Sequence, residues 1–286
     1  RMKPDVVAPG MALTLANAKW KTSGQPRFEE VAGGCSFAAP HVAGLIAQQL
    51  EAGRRLELSV DPRVLKATML NSAVKVLNKY GDSWTPASRA KEGEIERSSA
   101  PLDAHSGAGL VDGRGLAEQY LAGQQDPGLV KHVGWDLAAV AKGQFVEYAL
   151  DAPTPGRLAA TLTWHRHVER VDQGPARLDA SDQFVADPLA DLDLQVVRDG
   201  ALVAESVSRA DNVEHLLIDL HAGATYAIRV IGWSVPELTT ETYALAWRTT
   251  AAPEPDRLGV ATPRADAASA ARSGSGRGRN GASSPK

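Results

Sequence analysis

A single cysteine, Cys35, in 286 residues leaves no internal disulfide to form. That fits a cytosolic protein and equally the secreted bacterial enzymes that do without disulfides. No run of apolar residues approaches the roughly 18 that mark a membrane span, so no membrane partner is expected. A formal net charge of -3 removes the basic field that a nucleic-acid partner would require. Aromatic residues are scarce at 5%, yet 43% of the chain is hydrophobic, enough at this length for more than one core. Histidine is absent from the first 35 residues, and all seven imidazoles come later. Arg1 opens the chain with no signal-like apolar segment behind it, and the reading expects a preceding part.

The most informative stretch is Gly33-Gly34-Cys35-Ser36-Phe37-Ala38-Ala39-Pro40-His41-Val42-Ala43-Gly44. Two glycines free the backbone for a sharp approach, and Ala39, Val42, Ala43, Ile46, Ala47 and Leu50 then recur at helical spacing. Ser36 therefore falls at or near a helix N-terminus, where unsatisfied N–H groups and the positive end of the macrodipole favour negative charge. An N-cap is the ordinary reason for a serine in that place. The alternative is a nucleophile whose own backbone N–H forms part of an oxyanion hole.

The same stretch resembles the nucleophile motif of the subtilisin-like serine proteases, Gly-Thr-Ser-x-Ala-x-Pro-His-Val-Ala-Gly, with Cys35 where that family carries threonine. The lone Gly-x-Ser-x-Gly elbow of α/β-hydrolases does not fit, because Ala38 replaces its second glycine. Lys3-Pro4-Asp5-Val6-Val7-Ala8-Pro9-Gly10 resembles the segment shortly before the serine in that family, and reads as a short strand over Val6 to Ala8. Asp5 is read as a local turn cap, not an acid of the triad. Residues 11 to 32 are expected to form a polar surface loop. Asp61-Pro62 signals a second helix, with Leu65, Met69 and Ala73 at fourfold spacing. Residues 76 to 105 show little periodicity and read as an exposed insertion, and Gly107 to Leu121 resembles the closing element of the subtilase domain. The resemblance covers residues 1 to about 123 and implies the C-terminal part of an α/β, largely parallel-sheet domain.

Beyond Pro127 the periodicity changes. Leu158, Ala160, Leu162 and Trp164 alternate with smaller or polar neighbours, as do Tyr226, Ile228 and Val230 and then Tyr243, Leu245 and Trp247. Turn signals at Asp199-Gly200 and Ala222-Gly223 divide these runs, so residues 128–250 are expected to form an all-β antiparallel sandwich. Their order resembles the jelly-roll domain that follows the protease domain in some bacterial alkaline subtilases. From residue 251 to 286, Ala, Pro, Ser, Gly and Arg dominate, the composition of a disordered tail.

The chemistry implied by the resemblance is incomplete. A serine hydroxyl needs an imidazole to take its proton and a carboxylate to hold that imidazole, and in subtilisin-like proteases both precede the serine. No histidine lies upstream of Ser36. His41, five positions on at about 100° each, falls about 140° around the helix and is read as structural. Asn17 lies too close to the serine motif to match the family's oxyanion asparagine. The resemblance thus implies peptide-bond hydrolysis on polypeptide substrates, a secreted location, no cofactor for the chemistry, and a missing N-terminal half. The chain alone is expected to be inactive. An inactive relative acting as a binding module is the first rival, and an enzyme using Cys35 the second, though no basic neighbour stands beside that thiol. Asp179, Asp182, Asp187, Asp191 and Asp193 form an acidic stretch in which Asp187, Asp191 and Asp193 are candidate calcium ligands, against a solvated loop.

Overall fold

A computed structural model describes residues 3–24, 26–76, 83–151, 155–171, 182–235 and 239–251. Near the N-terminus, β1 (Met11–Ala16) and β2 (Phe28–Gly33) pair antiparallel around the short α1 (Trp20–Ser23). A ribbon thus stands where the sequence reads as a polar loop. It lies on the surface, with Met11 and Phe28 turned largely to solvent. The strand expected over Val6 to Ala8 reduces to one parallel bridge, Val7 to Leu110, and Leu110 pairs antiparallel with Val74 on its other side. Among the described residues of 1–123 no parallel sheet assembles, because parallel strands hold their ladders only between further strands buried on both faces.

Two helices follow with very different surroundings. In α2 (Cys35–Leu56), only Gln49 and Gly53 are buried over 22 residues. In α3 (Pro62–Ser72), Asp61 caps the first turn by accepting from the Arg63 N–H at 2.9 Å, Pro62 occupies N1, and most side chains from Val64 onward are buried. The start signal read from Asp61-Pro62 is the one the fold uses.

Residues 88–100, expected to lie in an exposed insertion, are largely exposed but form ordered strands. β3 (Ser88–Glu92) and β4 (Ile95–Ala100) form a hairpin that extends a larger sheet. Their charged side chains conceal this role from periodicity. α4 (Gly113–Leu121) then closes the segment, capped by Asp112, whose side chain accepts from the Arg114 N–H.

Eleven more strands complete the described fold: β5 (Gly128–Val130), β6 (Val133–Ala141), β7 (Phe145–Leu150), β8 (Gly156–Trp164), β9 (Val168–Val171), β10 (Gln183–Ala186), β11 (Asp191–Arg198), β12 (Ala201–Ser206), β13 (Val213–Leu220), β14 (Tyr226–Ser234) and β15 (Thr240–Ala251). Seven strands order as β3-β4-β12-β11-β14-β7-β5 and four as β13-β8-β15-β6, while β9 and β10 form a separate ribbon. All pairs in the four-stranded sheet are antiparallel. In the larger sheet the flanking pairs β4 to β12 and β5 to β7 are parallel. The core between the sheets takes the alternating positions read from sequence: Leu158, Leu162 and Trp164, Ile228 and Val230, Tyr243, Leu245 and Trp247. Asp199 and Gly200 both have positive φ, 51° and 82°, which suits the tight link between β11 and β12.

The outer face of the four-stranded sheet is covered as well. Val64, Leu65 and Ala67 of α3 and Tyr120 of α4 pack with Trp135, Ala244 and Ala246 in one buried cluster. Thr161 and Thr163, which alternation would leave to solvent, are buried, and Thr163 Oγ1 donates to the Arg63 carbonyl at 3.0 Å. Gln119 Nε2 donates across the junction to the carbonyls of Gly134 and Trp247 at 2.6 and 2.9 Å. The seams between helix layer and sheet are therefore both apolar and hydrogen-bonded. The tail from residue 252 onward, expected to be disordered, lies outside the described residues.

Candidate active site

Ser36 is the second residue of α2, whose N-cap is Gly34. The serine is thus inside the first turn and does not cap it. Its side chain is exposed, and among the described residues no hydrogen bond engages its hydroxyl. Gly33 makes the approach possible: at φ 109° a Cβ would stand 2.2 Å from the Gly10 carbonyl oxygen. Gly34 N–H donates to that same carbonyl at 2.7 Å, which ties the loop ending at Gly10 to the start of α2. Gly33 is the glycine this close crossing requires; Gly34 has extended backbone and a Cβ there would meet only an ordinary contact with Ser36 Oγ at 3.5 Å.

The first turn shows how a negative charge would be received. Phe37 and Ala38 N–H both donate to the Gly34 carbonyl, at 3.0 and 3.4 Å, so that turn is tightly wound. The N–H groups of Cys35 and Ser36 precede any intrahelical partner and sit at the positive end of the helix. Pro40 has no N–H to offer the Ser36 carbonyl four residues back, which also loosens the ladder at Ser36. The free Cys35 thiol is exposed beside Ser36.

His41 Nδ1 lies 2.9 Å from the Phe37 carbonyl oxygen, so its ring folds back on the helix one turn away from Ser36. That agrees with its reading as a structural part of the motif. Asp5, expected to act as a local turn cap, forms ion pairs with Lys3 and, at 3.3 Å, with Lys66 of α3. Asn17 is buried, and its side-chain oxygen accepts from the Lys19 N–H at 2.9 Å. Among the described residues no imidazole is hydrogen-bonded to Ser36. Asp61 is held below the usual carboxylate range by its hydrogen bonds from Arg63, with Arg63 Nη2 2.7 Å away, and serves the helix, not the serine.

Beside the start of α2 runs an apolar groove of about 1110 Å³. Gly34, Cys35, Ala38, Val42 and Ile46 form one wall, and Val6, Val7, Leu65 and Met69 stand among the others. His105 and His165 also line it, a juxtaposition that the linear order of the chain conceals. Of the apolar stripe read from sequence, Ala39, Val42 and Ile46 line this groove without filling it, while Leu50 packs with Ile46 against the cluster of α3 and the sheet.

The described acidic residues are spread over a loop and one strand. Asp191 and Asp193 lie two apart on β11 and share a face, whereas Asp187 sits in the preceding loop with its N–H donating to the His167 carbonyl. Burial, with the charges of Asp191 and Glu205, pushes the Asp193 carboxyl up to about 7. Among the described residues no three His, Cys, Asp or Glu side chains converge to hold a metal, and Asp179 lies outside them.

Residues 1–134 match the model of the Subtilase family. The match runs past the resemblance read from motifs, which ends at about residue 123, and into β6. No curated protein matches the chain. Among solved structures, the chain is similar to the Aeromonas sobria serine protease, determined in complex with a chaperone, at 15% identity and a TM-score of 0.25. That alignment covers 82% of this chain and 47% of the protease chain, so this chain spans about half the length of that relative. A family GH115 4-O-methyl-α-glucuronidase aligns at 8% identity and TM-score 0.24, covering 40% of this chain and 14% of its own. A family 35 carbohydrate binding module from an environmental isolate aligns at 12% identity and TM-score 0.22, covering 46% and 86% respectively. Structural likenesses at this level carry no argument about fold or function. Among the described residues no helix is long and apolar enough to cross a membrane.

Proposed function

We propose that this chain carries the nucleophile-bearing part of a subtilisin-like serine endopeptidase, with Ser36 as the nucleophile and its backbone N–H as one donor to the oxyanion. The observation that carries the reading is Ser36 itself, an exposed hydroxyl without a hydrogen bond in the first turn of α2, behind a Gly33-Gly34 crossing. In this reading Ser36 attacks the carbonyl of a polypeptide substrate to give an acyl-enzyme, which water then hydrolyses. Its general base and the carboxylate that orients it come from a further segment of the domain. That segment docks in the groove beside α2, where the half-buried Val42, Ile46 and Val7 await apolar partners. The sandwich is a jelly-roll companion of the peptidase domain, and the parent enzyme is secreted.

The rival is an inactive relative that acts as a binding module. Labelling with a serine-directed fluorophosphonate separates the two. The chain alone is expected to remain unlabelled, because a triad acts as a unit and the base is lacking. Adding the N-terminal half of a subtilase domain in trans or in cis is expected to bring labelling that Ser36→Ala abolishes. Labelling of the chain alone, lost in Ser36→Ala, would show that it holds its own base; no labelling in any complemented form leaves the binding module standing.

A further inference from the structure

Lys75 leaves α3 and carries its ammonium over the Trp84 ring, 4.7 Å from the centroid, while Nζ donates to the Ala108 carbonyl. Among the described residues no carboxylate pairs with it, and desolvation brings its pKa down to about 7. A largely desolvated cation without a counter-ion is costly, and costs least where an anion can join it. His215 on β13 is fully buried against β8, with Nδ1 2.8 Å from Thr161 Oγ1. Its ring meets Trp84 at 5.5 Å and 77°. Burial, then the neighbouring Lys75 charge, holds the imidazole well below its ordinary value and therefore neutral. Its Nε2 has no hydrogen-bond partner. With the Asn71 amide oriented so that its Nδ2 donates to Thr161 Oγ1, the Thr161 hydroxyl is free to donate to Nδ1, and Nε2 carries the proton as a buried donor without a partner among the described residues.

Both residues line one cavity of about 330 Å³, within the range of small-ligand sites. Its other charged side chains are already matched: Arg89 with Glu96, Arg97 with Glu205, and Arg157 with Asp219. What remains unbalanced is the Lys75 cation and the His215 N–H, beside an aromatic wall. None of its lining residues is shared with the groove next to Ser36. We propose that this cavity binds a small organic carboxylate, which accepts hydrogen bonds from Lys75 Nζ and His215 Nε2 and rests its apolar part on Trp84.

The test is isothermal titration of the full chain with benzoate, with inorganic phosphate as the comparison anion. Saturable benzoate binding is expected, weakened about tenfold or more in Lys75→Met and in His215→Gln, the range for loss of one charge-assisted or buried hydrogen bond. His215→Gln alters a wholly buried position, so Lys75→Met, at a partly exposed one, keeps the test decisive if the first variant does not fold. No saturable benzoate binding, equal affinity in Lys75→Met, or phosphate binding as tight as benzoate would each overturn the assignment.

Discussion

Leu65 tests whether the helices and the sandwich stand or fall together. Its side chain is 5% exposed and packs in the cluster that joins α3 to Trp135, Ala244 and Ala246. Leu65→Ala removes buried methyl groups from that junction, and such truncations cost about 2–5 kcal/mol, more where the cavity stays open. Leu65 also borders the groove beside α2, so part of the vacated space opens to solvent and the loss belongs near the low end, about 2–3 kcal/mol. For a unit of this size that corresponds to a fall of about 4–12 °C in melting temperature. Calorimetry alongside near-UV circular dichroism reads it, since Trp135, Trp164 and Trp247 are all buried on the sandwich side. The control is Ile46→Ala on α2, a half-buried residue whose loss should cost less than about 1 kcal/mol. A single cooperative transition that shifts in Leu65→Ala is the expected result. A sandwich transition that stays in place while a separate helical signal melts earlier would refute the shared junction.

Asp61→Ala should lower stability by about 1–2 kcal/mol through the lost cap of α3. The folded-state pKa of Asp61 is depressed, so its contribution is present above the unfolded value near pH 4 and disappears as acid takes the carboxylate through its lower folded pKa. Thermal melts of wild type and variant should therefore converge below about pH 3; a constant gap at all pH values would contradict this. Glu214 has the opposite sign: fully buried, it is raised well above its ordinary value by desolvation, so its protonated form favours the fold and stability falls as pH rises above the unfolded value. Glu214→Gln, next to Ser206 and Ser208, should hold or raise the melting temperature at pH 8 and flatten the pH dependence, and a lower melting temperature at pH 8 would count against the buried-charge account. Millimolar calcium should leave the melting temperature unchanged, since Asp191 and Asp193 offer too few converging oxygens. A rise that disappears in Asp191→Ala with Asp193→Ala would restore the candidate site.

The features legible in the amino-acid order are those whose physics is local. Gly33 marks the close crossing before Ser36, Asp61-Pro62 opens α3, and strict alternation in β8, β14 and β15 placed Leu162, Ile228 and Leu245 in a core. Asp199-Gly200 announced its turn through the two positive φ angles it alone tolerates well. Partnership across the chain is a different matter, because a periodicity states which face is buried and never against what. Tertiary structure decided that α3 covers the sheet face bearing Thr161 and Thr163, residues whose hydroxyls are satisfied there only by Asn71, His215 and the Arg63 carbonyl. It decided too that the charged hairpin β3–β4 extends the larger sheet, since backbone ladders need no apolar pattern on a strand near an edge. Lys75 and His215 stand 140 residues apart and meet only because Trp84 and β13 close around one cavity. The sequence by itself determined where Ser36 stands on its helix; what faces that helix is settled by distant residues whose contacts no local spacing encodes.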